Sequence, residues 1–101
     1  VIIIKIYKWG DYKMKQITVK IIDPVGLHAR PATVAVGLAS KCACNVTIEF
    51  NGNAKTMKSI MGVMSLGIPT QAEVVISCDG ADEEAAIVAI EEGLRKEGVI
   101  A

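Results

Sequence analysis

The chain has 101 residues, 51% of them apolar, and its 11 Lys plus Arg balance its 11 Asp plus Glu. That size makes one compact domain with a real core and leaves no room for two. Zero net charge removes any whole-molecule pull towards nucleic acid or an anionic membrane, so an anion can be drawn only to a local site.

Residues 1–13, VIIIKIYKWGDYK, open on an apolar run without an initiator methionine. The run is too short to span a bilayer. It has neither the small-residue cleavage site nor the longer apolar region of a signal peptide. The segment is expected to be an expression remnant or an over-extended reading frame, with the domain occupying residues 14–101. The alternative is an added strand or partner-binding arm, since β-branched apolar runs favour edge pairing.

From Gln16, the apolar Ile17, Val19 and Ile21 alternate with Thr18 and Lys20, which predicts a half-buried strand. Pro24 and Gly26 break it. A helix is predicted from about Ala29–Pro31 to Ser40, with Val34, Ala35, Leu38 and Ala39 at helical spacing. Proline is tolerated in a first turn because its missing N–H has no partner there. Three cysteines follow the disulfide logic poorly. Cys42, Cys44 and Cys78 are an odd count that suits a reducing cytosol. Cys42-Ala43-Cys44 lacks a matching Cys or His pair for a metal, so the three are read as small apolar residues, with no metal site.

Val46, Ile48 and Phe50 alternate with polar residues in a second strand. Asn51-Gly52 is a hairpin signal, since both residues accept positive φ. A third strand is expected over Asn53 to Lys58. Ser59 then caps a short helix carrying Ile60, Val63, Met64 and Gly67, and Pro69 prevents its continuation. Val74, Ile76 and Cys78 mark a fourth strand. The last helix starts at an Asp82 cap, with Glu83 and Glu84 at its positive end and Arg95 and Lys96 at its negative end. Ala86, Ile90 and Leu94 form its buried stripe, and Gly98 suits the stop. The order β-α-β-β-α-β-α predicts an α+β domain. Its antiparallel sheet is expected to carry three helices on one face and to show Thr and Lys to water on the other.

The single histidine, His28, lies in Gly26-Leu27-His28-Ala29-Arg30-Pro31-Ala32, where the first helix begins. A helix start has unpaired N–H groups and partial positive charge, which suit a phosphate or carboxylate. Arg30 adds a guanidinium that grips phosphate oxygens in pairs. Imidazole is both a nucleophile and a base. These features suit a histidine that accepts a phosphoryl group and gives it away. The plainer alternative is a turn histidine without chemistry beside a solvated arginine.

GLHARPA at 26–32, followed by KSIMGVMSLG at 58–67, resembles the HPr family of histidine-containing phosphocarriers of the bacterial sugar phosphotransferase system, over about residues 14 to 99. The second motif resembles the form found in low-GC Gram-positive bacteria. The resemblance implies an open-faced sandwich with sheet order 1-4-2-3, in a cytoplasmic monomer without a cofactor, membrane insertion or direct nucleic-acid contact. It also implies that enzyme I, charged by phosphoenolpyruvate, passes a phosphoryl group to Nδ1 of His28. The IIA components of sugar permeases then receive it. Arg30 matches the family's active-site arginine, and Ala29 and Arg30 offer backbone N–H groups. Val25 departs from the small polar residue often found before the glycine, which puts one polar contact of the site in question and leaves the implied carrier role as it is.

Ser59 by itself reads as a neutral helix cap. By the resemblance it is the serine phosphorylated by HPr kinase/phosphorylase. The phosphorylated form is a poor acceptor from enzyme I and a corepressor with the catabolite control protein. Ile60, Val63, Leu66, Met61 and Met64 cannot all point inward on two turns, so some of Ile60, Met61 and Met64 are expected on the surface. Adaptable methionines suit a face that meets several partners. Two other readings remain. One is a purely regulatory HPr-like corepressor, but regulators of that kind lack the histidine. The other is a small ferredoxin-like binding domain, but the chain shows no ligand site for its sheet.

Overall fold

Alternation of Ile17 and Val19 with Thr18 and Lys20 builds an edge strand, β1 (Met14–Lys20), in the computed structural model, which describes residues 14–101. The expectations for residues 1–13 lie outside the described residues. After β1 come α1 (Ala29–Ser40), β2 (Asn45–Phe50), β3 (Asn53–Thr56), α2 (Ile60–Met64), β4 (Glu73–Asp79) and α3 (Glu83–Lys96). The strands form one sheet in the order β1-β4-β2-β3, with every neighbouring pair antiparallel. With its three helices this is the expected open-faced sandwich.

Register places Ile17 opposite Ile76, and Ile76 opposite Ile48, so one row of isoleucines crosses three strands on the core side. All three are essentially inaccessible to water. Burying each such side chain contributes about 1.5–3 kcal/mol. The next row, Gln16, Ser77 and Thr47, faces the other way, and Gln16 Nε2 donates to Ser77 Oγ at 3.1 Å. Period-two alternation therefore sorts the two faces of the sheet.

The helices close the core. Helix α1 turns its small residues Pro31, Ala32, Ala35 and Ala39 inward, while Val34 and Leu38 are half-buried. Small side chains let α1 lie close to its neighbours. Leu38 in turn fills the space that a side chain at Gly93 of α3 would need, with Leu38 Cδ2 only 2.6 Å from that position. Helix α3 buries Ala86, Ile90 and Leu94 as expected, and Ile87 with them. It ends in a Schellman motif: Val99 N–H donates to Leu94 C=O at 2.9 Å and Gly98 N–H to Arg95 C=O at 3.1 Å. The chain beyond then bridges Ile100 to Ile21, antiparallel, beside the segment that leads to His28.

Two expectations need correction. Strand β3 ends at Thr56, not Lys58, because Thr56 Oγ1 accepts from Lys58 N–H at 3.2 Å and turns the chain. Met57 thereby drops into the core. Asp82 occupies the cap position of α3, yet its carboxylate makes no cap bond. Both oxygens instead reach the α1–β2 connection, accepting from Ala43 N–H at 3.0 Å and Cys44 N–H at 2.9 Å. Local capping loses here to a pair of amides presented from far along the chain.

Those bonds, with Ala43 N–H the largest contributor, hold the Asp82 carboxyl below its ordinary value. A carboxylate depressed by folding stabilises the folded state above its unfolded pKa, near ~3.9, and that stabilisation is lost as pH falls through the folded value. Asp82→Asn is therefore expected to lower the melting temperature at neutral pH. It is also expected to flatten the loss of stability below about pH 4. Melting curves between neutral and acid pH check this. An acid limb as steep as the native one counts against the Asp82 tie.

Candidate functional site

The site begins at a turn. Pro24 at its second position and Gly26 at its fourth suit a β-turn opened by Asp23. Gly26 N–H donates to Asp23 C=O at 2.9 Å. Asp23 Oδ1 also accepts from Val25 N–H at 3.0 Å, an Asx-type turn in which the side chain copies a backbone carbonyl. Gly26 has φ +88°, and a Cβ there would stand 2.6 Å from the Ile68 carbonyl oxygen. This close approach lets Leu27 N–H donate to the same Ile68 C=O at 2.9 Å while the Leu27 side chain is buried. The segment between α2 and β4 thus clamps the residue immediately before His28.

His28 is the N-cap residue of α1, with extended backbone (φ −85°, ψ −163°) and no cap bond from its side chain. The ring is free of the helix, and its side chain is 36% exposed. Its Nε2 stands 3.3 Å from Asp23 Oδ1. Among the described residues no carboxylate pairs with Nδ1. The first helical bond of α1 is donated by Ala32 N–H to His28 C=O at 2.9 Å. Ala29 and Arg30 N–H therefore precede the ladder at the electropositive end of a 12-residue helix. Arg30 is exposed and, among the described residues, in no ion pair. It lines a shallow open depression with Asp23, Pro31, Val34, Glu97 and Val99. A nucleophilic nitrogen, two amide donors and an exposed cation at one helix end suit a dianionic group carried on the ring.

Ser59 is the N-cap of α2, and its Oγ accepts from Gly62 N–H at 3.0 Å. Ser59→Ala is expected to lower stability by about 1 kcal/mol, the usual worth of such a cap. The midpoint of a urea unfolding curve measures it, and an unchanged midpoint would show the bond to be idle. Helix α2 buries Val63 and leaves Ile60, Met61 and Met64 exposed by 40%, 78% and 41%. The expected outward face is there. Val25, 70% exposed, adds a second apolar element beside the His28 turn.

Asp23 and Ile68 are the site residues that sequence reasoning missed. The Asp-Pro-Val-Gly turn signature at 23–26 carries the signal for Asp23. Nothing local marks Ile68, whose part is played by its carbonyl alone. Cys44 and Cys78 lie in the core with burial pushing both thiols up, and Cys42 is half-buried. Among the described residues no cluster of His, Cys, Asp or Glu is arranged to hold a metal ion, and no helix is long and apolar enough to cross a membrane.

A profile of the family described as the PTS HPr component phosphorylation site matches residues 15–96. The solved histidine-containing phosphocarrier protein of Mycoplasma is 42% identical, with a TM-score of 0.81 over 84% of this chain and 97% of that one. Phosphocarrier protein HPr from Bacillus anthracis is 36% identical, with a TM-score of 0.75 over 81% of this chain and 98% of that one. The solution structure of Crh, the catabolite repression HPr of Bacillus subtilis, is 35% identical, with a TM-score of 0.58 over 78% of this chain and 94% of that one.

Proposed function

The chain belongs to the HPr family of phosphocarriers, matched over residues 15–96, and on that premise we propose that it carries a phosphoryl group on Nδ1 of His28. The group arrives from phosphorylated enzyme I and leaves to the IIA components of sugar permeases. The observation that carries this reading is the placing of a part-exposed imidazole at the start of α1 with Nε2 turned to Asp23. With Nε2 facing that carboxylate, Nδ1 is the nitrogen we assign to the phosphoryl group. Ala29 and Arg30 N–H receive the phosphoryl oxygens, and the Arg30 guanidinium neutralises their charge. The protein is a carrier that is itself modified, and it works in the cytoplasm as a monomer.

Ser59 is the regulatory position, modified by HPr kinase/phosphorylase. A phosphate on its oxygen meets the Gly62 N–H that the hydroxyl already engages, so helix α2 survives the change. The added charge stands beside the exposed Ile60, Met61 and Met64, which we assign to the surface shared by enzyme I, IIA domains and the catabolite control protein. One assay tests the carrier role. The protein is incubated with phosphoenolpyruvate and enzyme I, and the product is treated with acid and with alkali. An acid-labile, alkali-stable phosphate is expected. Absence of label, with a known HPr labelling in parallel, would remove the proposal.

A further inference from the structure

Resting on the carrier reading of His28, we propose that Asp23 is a positioning residue for phosphoryl transfer: its carboxylate holds the His28 proton on Nε2 and so presents Nδ1 as the nucleophile. Neutral imidazole carries one proton on either nitrogen, and the partner of one nitrogen decides which. Here Nε2 stands 3.3 Å from Asp23 Oδ1. With the proton on Nε2, the electropositive edge of the ring lies against a carboxylate oxygen, an electrostatic contact at 3.3 Å. With the proton on Nδ1, the Nε2 lone pair faces the carboxylate lone pairs, and the contact becomes repulsive. The environment strengthens the choice, since the Asp23 side chain is only 16% exposed.

Asp23 is itself well held. The same Oδ1 accepts from Val25 N–H at 3.0 Å, and the Asp23 carbonyl accepts from Gly26 N–H at 2.9 Å. Pro24 restricts the turn between them. Leu27 is fixed in its turn by Ile68 C=O, so the chain from carboxylate to ring has little freedom. Arg30 and Glu97 line the same depression as Asp23, and neither pairs with the ring.

The step balances without a proton leaving the site. The Nδ1 lone pair forms the N–P bond while the donor's bond to phosphorus breaks and its electron pair stays with the donor. The ring gains positive charge as that bond forms, and its Nε2–H then faces the Asp23 carboxylate. On delivery the N–P electron pair returns to Nδ1, and the neutral ring with Nε2–H is restored. Asp23 touches no reacting atom; it acts through the ring.

Long-range ¹H–¹⁵N spectra of His28 report which nitrogen holds the proton, a property that loop support alone does not set. The native ring is expected to show the Nε2–H signature. In Asp23→Ala the signature is expected to move towards an Nδ1–H mixture, and acceptance from phosphorylated enzyme I is expected to fall about tenfold, the scale of lost orientation at one reacting group. Asp23→Asn keeps an oxygen for Val25 N–H and is expected to restore part of both. A native-like signature in Asp23→Ala overturns the proposal. So does acceptance within about twofold of native, or an equal loss in both variants with the signature unchanged, the mark of turn collapse. If the native protein takes no label, the carrier reading fails, while the ring signature still tests Asp23 by itself.

Discussion

Replacing His28 by alanine is expected to abolish phosphoryl uptake from enzyme I, by at least about a thousandfold, because alanine has no nucleophilic nitrogen for the N–P bond. No other described side chain at the start of α1 can substitute: a guanidinium offers donors and no acceptor lone pair, and Thr33, whose hydroxyl donates to Ala29 C=O at 2.8 Å, lies a turn further on. The structural cost should be small. The ring is partly exposed and makes no cap bond, so only its contact with Asp23 is lost and stability should move by about 1 kcal/mol or less. A folded, unlabelled variant therefore separates lost chemistry from lost structure. Label retained on this variant would place the acceptor elsewhere.

The second large effect is expected at Gly26. Gly26→Ala puts a Cβ 2.6 Å from the Ile68 carbonyl oxygen and 2.9 Å from both Pro69 Cα and Thr70 N. All three neighbours are backbone, so no flexible side chain can yield. The φ of +88° adds strain for any L side chain. Relief requires the turn to move off the α2–β4 segment and to break the Leu27–Ile68 bond. Strain, the lost bond and the shift together should cost about 3 kcal/mol. For a domain of this size that lowers the melting temperature by roughly 15 °C. Uptake by His28 should fall as well, since Leu27 fixes the ring's position. A melting temperature within a few degrees of native would show that the clamp is slack and that His28 is positioned by other means.

Most of the fold was legible because its signals are local. Alternation in β1, β2 and β4, Asn51-Gly52 between β2 and β3, Ser59 before α2 and Gly98 after α3 each describe one element, and each element formed where its pattern lay. Asn51 and Gly52 take φ of 54° and 81°, the left-handed pair that a tight hairpin requires. The histidine, the arginine and the helix start were legible together, because they are contiguous.

The misreadings share a physical cause. The neighbours of Asp82 in sequence predict a cap, but its partners Ala43 and Cys44 lie 39 and 38 residues away. The local pattern extends β3 through Met57, but the strand ends at Thr56 and Met57 turns into the core. The Ile100–Ile21 bridge and the Ile68 carbonyl rest on backbone groups, which carry no side-chain signature. Asp23 falls between the two kinds. Its turn is local and visible, whereas its contact with His28 depends on how that turn sits at the helix end.

The most direct test of the central claim follows the amide signals of the phosphorylated protein. In ¹⁵N-labelled material charged by enzyme I, the phosphorus should couple to Nδ1 of His28, and the Ala29 and Arg30 amide protons should move downfield more than those of α2 or α3. Coupling to Nε2, or Ala29 and Arg30 amides that stay in place while the label is present, would contradict a phosphoryl group held at the start of α1.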